Sequence, residues 1–231
     1  MKAAGAQAKA AGEEREVWIG VDELNFAEFP LTTIAGELPA SQKTLVFADE
    51  IEDRGANTRI HRKLVISASD LYGLPTPRDS DVLLVLIDLT KAVNGFTERT
   101  IKFRRSELLA TLGWDDGGKS YQRLDESLQR WASVTLYYNG AWWDSSVKRW
   151  RSKTFHVLEA LDLRGREQSG SSDDSLSSFT WNEVVFASFE AKNIRSLDLE
   201  LYFRLTRPAS RQAYRFLAKR FWHSSLLTFD L

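Results

Sequence analysis

Lys119-Ser120-Tyr121-Gln122-Arg123-Leu124-Asp125-Glu126-Ser127-Leu128-Gln129-Arg130-Trp131-Ala132 is the stretch on which the fold turns. Tyr121, Leu124, Leu128 and Trp131 recur at spacings of three, four and three, the repeat of one apolar helix face. Gln122, Arg123, Glu126, Gln129 and Arg130 fall on the other side. Taken alone this is an amphipathic helix with a solvated outer face, and Asp125 and Glu126 count against a purely electrostatic role.

What precedes it changes the reading. Asp115-Asp116-Gly117-Gly118 is a break, and Trp114 before it can fill a core from the turn. Ser106, Glu107, Leu108, Leu109 and Leu112 make a short helix that stops at Gly113. Thr100-Ile101-Lys102-Phe103 reads as a short strand. Further back, Ser80 and Asp81 offer side-chain acceptors at a helix start. Val82 to Ile87 and Leu89 are apolar nearly all round, so this helix is expected to be buried on more than one side. Asn94-Gly95 ends it. Helix, strand, helix, helix and then a β-hairpin is the winged-helix plan in an α+β chain. The third helix is the recognition position, and its first residues, Lys119 and Ser120, sit where such a helix meets DNA.

The hairpin follows at once. Val134, Leu136 and Tyr138 alternate with Thr135, Tyr137 and Asn139. Asn139-Gly140 is a tight turn or a bulge in a longer strand. One long hairpin turning near Ser145 is preferred, because it sets Trp142 or Trp143 near Trp150 as a cross-strand aromatic pair. Lys148, Arg149, Arg151 and Lys153 then make a basic wing, suited to phosphate or a minor groove. The bland reading is a soluble hairpin with an aromatic clamp.

The 231 residues allow one large or two small domains. A hydrophobic content of 43%, with 13 Phe and 8 Trp, supports a packed core. The net charge of -1 announces no polyanion, so any DNA site is a local patch. The absence of cysteine excludes disulfides, Cys-ligated zinc and thiol catalysis. His61, His156 and His223 are scattered, without metal spacing. No apolar run nears the roughly 20 residues of a membrane span. A reducing cytoplasm is the expected compartment, and no cofactor is called for. Gly113…Gly118-Lys119-Ser120 matches the spacing of a nucleotide phosphate loop, but a helix precedes it where a strand is needed, and two aspartates would face the phosphates.

Elsewhere, residues 1–15 read as a disordered tail and 16–165 as a first winged-helix domain with an accessory N-terminal hairpin, Gln42–Phe47 and Ile60–Ile66. Leu24, Phe26, Phe29, Leu31 and Ile34 pack the lead-in onto it. Residues 166–177, rich in Gly, Ser, Arg and acids, read as a linker. Residues 178–231 are expected to open a second, truncated winged-helix domain. Asn182 caps a helix there, and Pro208 sits in the first turn of a last helix running to about Trp222. Ala209, Ala213, Phe216, Leu217 and Phe221 suit its buried side. Arg207, Arg211, Arg215, Lys219 and Arg220 make it the strongest basic patch of the chain. Leu226 to Asp230 resembles a strand without a partner.

Several stretches resemble the plasmid replication initiator protein A family. They include Asp22-Glu23-Leu24-Asn25-Phe26-Ala27-Glu28-Phe29-Pro30, Tyr72-Gly73-Leu74-Pro75, Leu112-Gly113-Trp114, Lys119-Ser120-Tyr121, Ala141-Trp142-Trp143-Asp144, Phe179-Thr180-Trp181-Asn182-Glu183 and Tyr214-Arg215-Phe216-Leu217. The resemblance implies a bacterial initiator that binds repeated duplex sites at a plasmid origin through tandem winged helices. It implies a first domain used for dimerisation and some DNA contact, and host replication proteins as further partners. On this analogy Lys119, Ser120, Gln122, Arg123, Arg130, Lys148, Arg149, Arg151 and Lys153 contact DNA from the first domain. Arg207, Arg211, Arg215 and Lys219 touch backbone phosphate from the second.

Two other readings share the fold. One is a winged-helix transcription regulator, and the other is a dimerisation or interaction module without DNA binding. An enzyme is the least expected class, since a nicking initiator using Tyr121, Tyr137 or Tyr138 needs a histidine metal cluster.

Overall fold

The computed structural model describes residues 17–33, 39, 41–53, 58–164 and 176–221. The expected tail, most of the expected linker, the loop at 54–57 and the Leu226–Asp230 run lie outside the described residues.

The apolar run predicted to be buried forms α2 (Pro77–Asn94). It starts earlier than Ser80. Asp79 accepts from the Thr76 N–H at 2.5 Å, and Pro77 takes the first turn, where its missing N–H costs nothing. Gly95 ends the helix at φ 59, ψ 30, the left-handed conformation expected of that glycine. Val82 to Ile87 are all buried.

Against α2 lies α4 (Gly118–Ser133), which presents Leu124, Leu128 and Trp131, each fully buried. Each such side chain contributes about 1.5–3 kcal/mol relative to exposure. Trp131 Nε1 also donates to the Asp79 carbonyl at 2.8 Å. β4 (Thr100–Phe103) and α3 (Arg105–Thr111) come between the two helices in sequence, as expected.

Two larger sheets flank these helices. β2 (Thr44–Asp53) and β3 (Thr58–Ser67) form the accessory hairpin. The Trp-rich hairpin, β5 (Thr135–Asp144) and β6 (Arg149–His156), joins it in the order β2-β3-β5-β6. It turns after Asp144, pairs Trp143 with Trp150, and bulges at Gly140, whose φ is 58. The second sheet has the order β4-β8-β7, from β7 (Leu158–Asp162) and β8 (Ser177–Trp181).

The Trp hairpin pairs with β3, a neighbour that alternation, which marks only a half-buried strand, does not name. β8 lies between β4 and β7, with Ile101 opposite Phe179. Trp181 is buried there and donates to Thr90 Oγ1 of α2 at 2.8 Å.

The remaining elements close on the start of the chain. Asn182 caps α5 (Glu183–Glu190) by accepting from the Val184 N–H. β9 (Ile194–Asp198) pairs antiparallel with β1 (Ile19–Glu23). α6 (Leu199–Arg204) and α7 (Pro208–Arg220) follow, and α7 packs on α1 (Leu24–Glu28). The result is an α+β fold consistent with a winged-helix-like arrangement. Among the described residues no helix is long and apolar enough to cross a membrane.

Candidate nucleic-acid interface

The α3–α4 corner is built by local hydrogen bonds. Gly113, at φ 67, ends α3, and the Trp114 N–H returns to the Leu109 carbonyl at 2.9 Å. At the start of α4, Ser120 Oγ donates to Asp115 Oδ1 at 2.6 Å. That hydrogen bond holds the Asp115 carboxyl below its ordinary range. Ser120 is buried, and its hydroxyl shapes the turn.

Lys119 and Gln122 are exposed on the first turn and a half of α4. Gln122 Nε2 donates to Glu126 Oε1 at 3.0 Å. Arg123 is half-buried, with its guanidinium over the Trp114 ring at 5.4 Å, a contact that fixes its direction while leaving its N–H groups to polar partners.

The two acids of this helix are compensated. Arg105, at the start of α3, donates to Asp125 Oδ2 at 2.7 Å and to the Arg164 carbonyl at 2.7 Å. It also lies over the Tyr121 ring. Sequence reasoning missed this clamp, since nothing local marks two residues twenty positions apart as partners. Glu126 is engaged by Gln122 and, at 3.4 Å, by Arg130. Arg104 is exposed beside α3 and pairs with Glu107 at 3.2 Å.

Four expected cations are placed elsewhere. Arg130 donates to Asp79 Oδ1 at 2.9 Å and to the Tyr72 carbonyl at 2.8 Å, tying α4 to the start of α2. Arg211 donates to Asp81 Oδ2 at 2.6 Å, Arg215 makes a two-point pair with Asp22, and Lys219 pairs with Glu28. Arg215 is only 1% exposed. The face of α7 turned inward is therefore its cationic stripe at spacings of four. Ala209, Ala213 and Phe221, expected inside, are exposed. Acids from β1, α1 and α2 select that face, and none of them is near α7 in sequence. Arg130, Arg211, Arg215 and Lys219 are each paired with a carboxylate inside the protein. Arg207, the N-cap of α7, stays exposed.

The Trp hairpin is docked, not projecting. Asn25 Nδ2 donates to the Trp143 carbonyl at 3.1 Å, the Trp143 N–H donates to Asn25 Oδ1 at 2.7 Å, and Ser145 Oγ donates to Asn193 Oδ1 at 2.9 Å. Lys148 and Arg149 remain exposed at its tip. Arg151 lies 3.4 Å from Asp144, and Lys153 is half-buried beside α5. Among the described residues no cluster of His, Asp and Glu could hold a metal ion.

Known proteins were compared with the chain. No curated protein matches it. A crystal structure of domains 2 and 3 of RctB superposes with a TM-score of 0.54 at 16% identity, covering 86% of this chain and 73% of that one. A second crystal structure of RctB domains 2–3 gives a TM-score of 0.47 at 16% identity, covering 79% and 66%. The first likeness extends the fold description to most of the chain. The model of the family described as Replication initiator protein A matches residues 22–223, from the buried Asp22 of β1 through all of α7, and the chain belongs to that family.

Proposed function

We propose that the protein is a plasmid replication initiator that binds repeated duplex sites at a replication origin, with α3 and α4 as its helix-turn-helix. The observation that carries this reading is the outer face of α4. Lys119, Gln122 and Arg123 stand there together, while Asp125 is ion-paired with Arg105 and Glu126 lies 3.4 Å from Arg130 and accepts a hydrogen bond from Gln122. A locally cationic, polar face on the helix after the turn suits phosphate contact and base-edge contact together. Family membership supports initiation as the context.

In this reading β4, β8 and β7 are the sheet of the winged helix. The Trp hairpin is then an insertion that braces the body. The protein does no covalent chemistry of its own; it recruits host replication proteins to the origin. A homodimer fits the outer face of the four-stranded sheet. Val46, Val65, Tyr137 and Thr154 stand in one register row across that face, with Val46 56% and Tyr137 39% exposed.

The test is competition binding at two salt concentrations. The chain is titrated onto duplex carrying the repeats beside its own gene, against scrambled duplex and single strands. Preference for the repeats is the expected result. Equal, salt-sensitive binding to every duplex would reduce the site to phosphate contact. Sites at a promoter instead of the origin would favour a transcription regulator, and no DNA binding would leave the interaction module.

A further inference from the structure

Beside the helix-turn-helix corner lies an open cleft of about 710 Å³ that the DNA reading does not use. Its walls come from distant parts of the chain. Trp18, just before β1, stacks on Phe203 of α6 with ring centroids 5.4 Å apart and planes 11° from parallel. Trp114, from the α3–α4 turn, lines the same cleft. The Trp18 indole is fixed at its edge, where Nε1 donates to Asp88 Oδ2 at 3.0 Å, so it keeps its orientation without a ligand. Gly113 opens toward empty space on the turn, since a Cβ there would meet nothing within 4 Å.

The charges of the cleft are unequal. At its floor Asp81 is already matched by Arg211 at 2.6 Å and by the Tyr202 hydroxyl at 2.9 Å. Arg211 directs its other N–H groups to the Leu205 and Phe203 carbonyls. At the rim, Glu200 has a partner within the protein. Arg204 is exposed and makes no ion pair among the described residues. The cleft is thus lined by Trp18, Phe203 and Trp114, with Arg123 over one face of Trp114 and Arg211 over the Phe203 ring, and by Arg204, which has no ion pair among the described residues. Planar aromatic walls favour a flat heterocycle, a guanidinium favours phosphate oxygens in two-point contact, and the volume is that of a small-molecule site.

We propose that this cleft binds a nucleoside phosphate, with the base among Trp114, Trp18 and Phe203 and the phosphate on Arg204. The site is separate from the phosphate-loop spacing at Gly113…Ser120, whose serine is committed to Asp115. It involves binding only, with no bond made or broken. It does not rest on the DNA reading, and either can fail without the other.

The experiment is isothermal titration of the full chain with AMP and with ATP, beside adenosine and inorganic pyrophosphate. Saturable binding of a nucleotide is expected, weakened about tenfold or more by Arg204→Glu. Arg204 is exposed, so that variant should keep its fold, which circular dichroism checks. Phe203→Leu should weaken adenosine and the nucleotides alike while sparing pyrophosphate. The proposal is overturned if no nucleotide binds up to about 5 mM. It is also overturned if pyrophosphate binds as tightly as ATP, if Arg204→Glu changes nothing, or if a single-stranded oligonucleotide binds where free nucleotides do not.

Discussion

Arg215 and Asp22 meet through two parallel hydrogen bonds, Nε to Oδ2 at 2.7 Å and Nη2 to Oδ1 at 2.8 Å, across 193 residues of sequence. Both are buried. Burial alone would ease the proton off Arg215, but Asp22 more than offsets it and the guanidinium holds its proton above the ordinary range. Arg215→Met would leave the Asp22 carboxylate buried and unpaired. A loss of about 3–5 kcal/mol in urea unfolding at neutral pH is expected. Arg215→Met with Asp22→Leu should recover much of it, because an apolar pair of similar volume avoids desolvating either charge. A single variant losing under about 1 kcal/mol would mean that the pair is not dry. DNA affinity of the folded fraction should be unchanged, in contrast to a phosphate contact.

The α4 surface makes a different prediction. Lys119→Ala should weaken binding to all duplexes alike and lower the salt slope by about 1. Arg123→Ala should cost about 1–3 kcal/mol on the preferred duplex and little on scrambled DNA. Arg105→Ala should also weaken binding, because it frees the Asp125 carboxylate beside the phosphates. Fluorescence anisotropy across a salt series reads all three. Unchanged affinity of Arg123→Ala for the preferred duplex would remove Arg123 from base readout.

Glu28 sets an acid limit on stability. Burial pushes its carboxyl up, but Lys219, Arg220 and Arg62 together bring it below the ordinary 4.5. A carboxyl with a lowered folded pKa stabilises the fold fully above its unfolded pKa. That contribution is lost as the pH falls from about 4.5 through the folded value. Glu28→Gln should therefore flatten the decline of stability with acid while lowering stability at neutral pH. Asp81 and Glu23 act with the opposite sign: burial raises both, so their contribution grows as the pH drops toward their unfolded values. If unfolding midpoints of Glu28→Gln and the parent chain fall in parallel from pH 6 to about pH 3, Glu28 is not the group responsible.

Self-association is tested at the centre of the open sheet face. Tyr137→Asp puts a charge in the row formed with Val65 and Thr154. Sedimentation should show a dimer in the parent chain and a monomer in the variant, with the unfolding midpoint little changed. A parent chain that stays monomeric at all concentrations would remove the homodimer from the reading.

The helices from α2 to α5, the accessory hairpin and the start of α7 were legible in the sequence because each signal is local, while α1 and β9 carry no such signal and β6 and β7 read as one strand. The 3.6-residue repeat of Tyr121, Leu124, Leu128 and Trp131, the cap at Asn182 and the proline at 208 all lie within a few residues of what they specify. The pairing of elements was not. Nothing in Phe179-Thr180-Trp181 says that it fills the gap between β4 and β7. The site divided in the same way. Lys119 and Gln122 are exposed as their helix face predicts, and Arg123 is half-buried against Trp114. Arg130, Arg211, Arg215 and Lys219 are drawn inward by Asp79, Asp81, Asp22 and Glu28, and each partner lies at least 51 residues away. Where enough acids wait inside, a cationic helix face is no guide to solvent.

The last prediction concerns Asn25, which holds the Trp hairpin in place. Its side-chain amide takes the part of a neighbouring strand, accepting from the Trp143 N–H at 2.7 Å and donating to the Trp143 carbonyl at 3.1 Å. The same Nδ2 also donates to Glu23 Oε1 at 3.0 Å. Asn25→Ala removes all three bonds at a fully buried position. Each polar group left without a partner costs about 1–3 kcal/mol. The Trp143 amide should lose protection from hydrogen exchange while Leu136, deep in the same strand, keeps it. Asn25→Asp tests the electrostatics at the same volume. A second carboxylate facing Glu23 repels it, so at neutral pH this variant should be less stable than Asn25→Ala, and the deficit should shrink as acid protonates either group. Equal protection at Trp143 in all three proteins would mean that the hairpin tip is held by Ser145 and the Trp143–Trp150 contact alone.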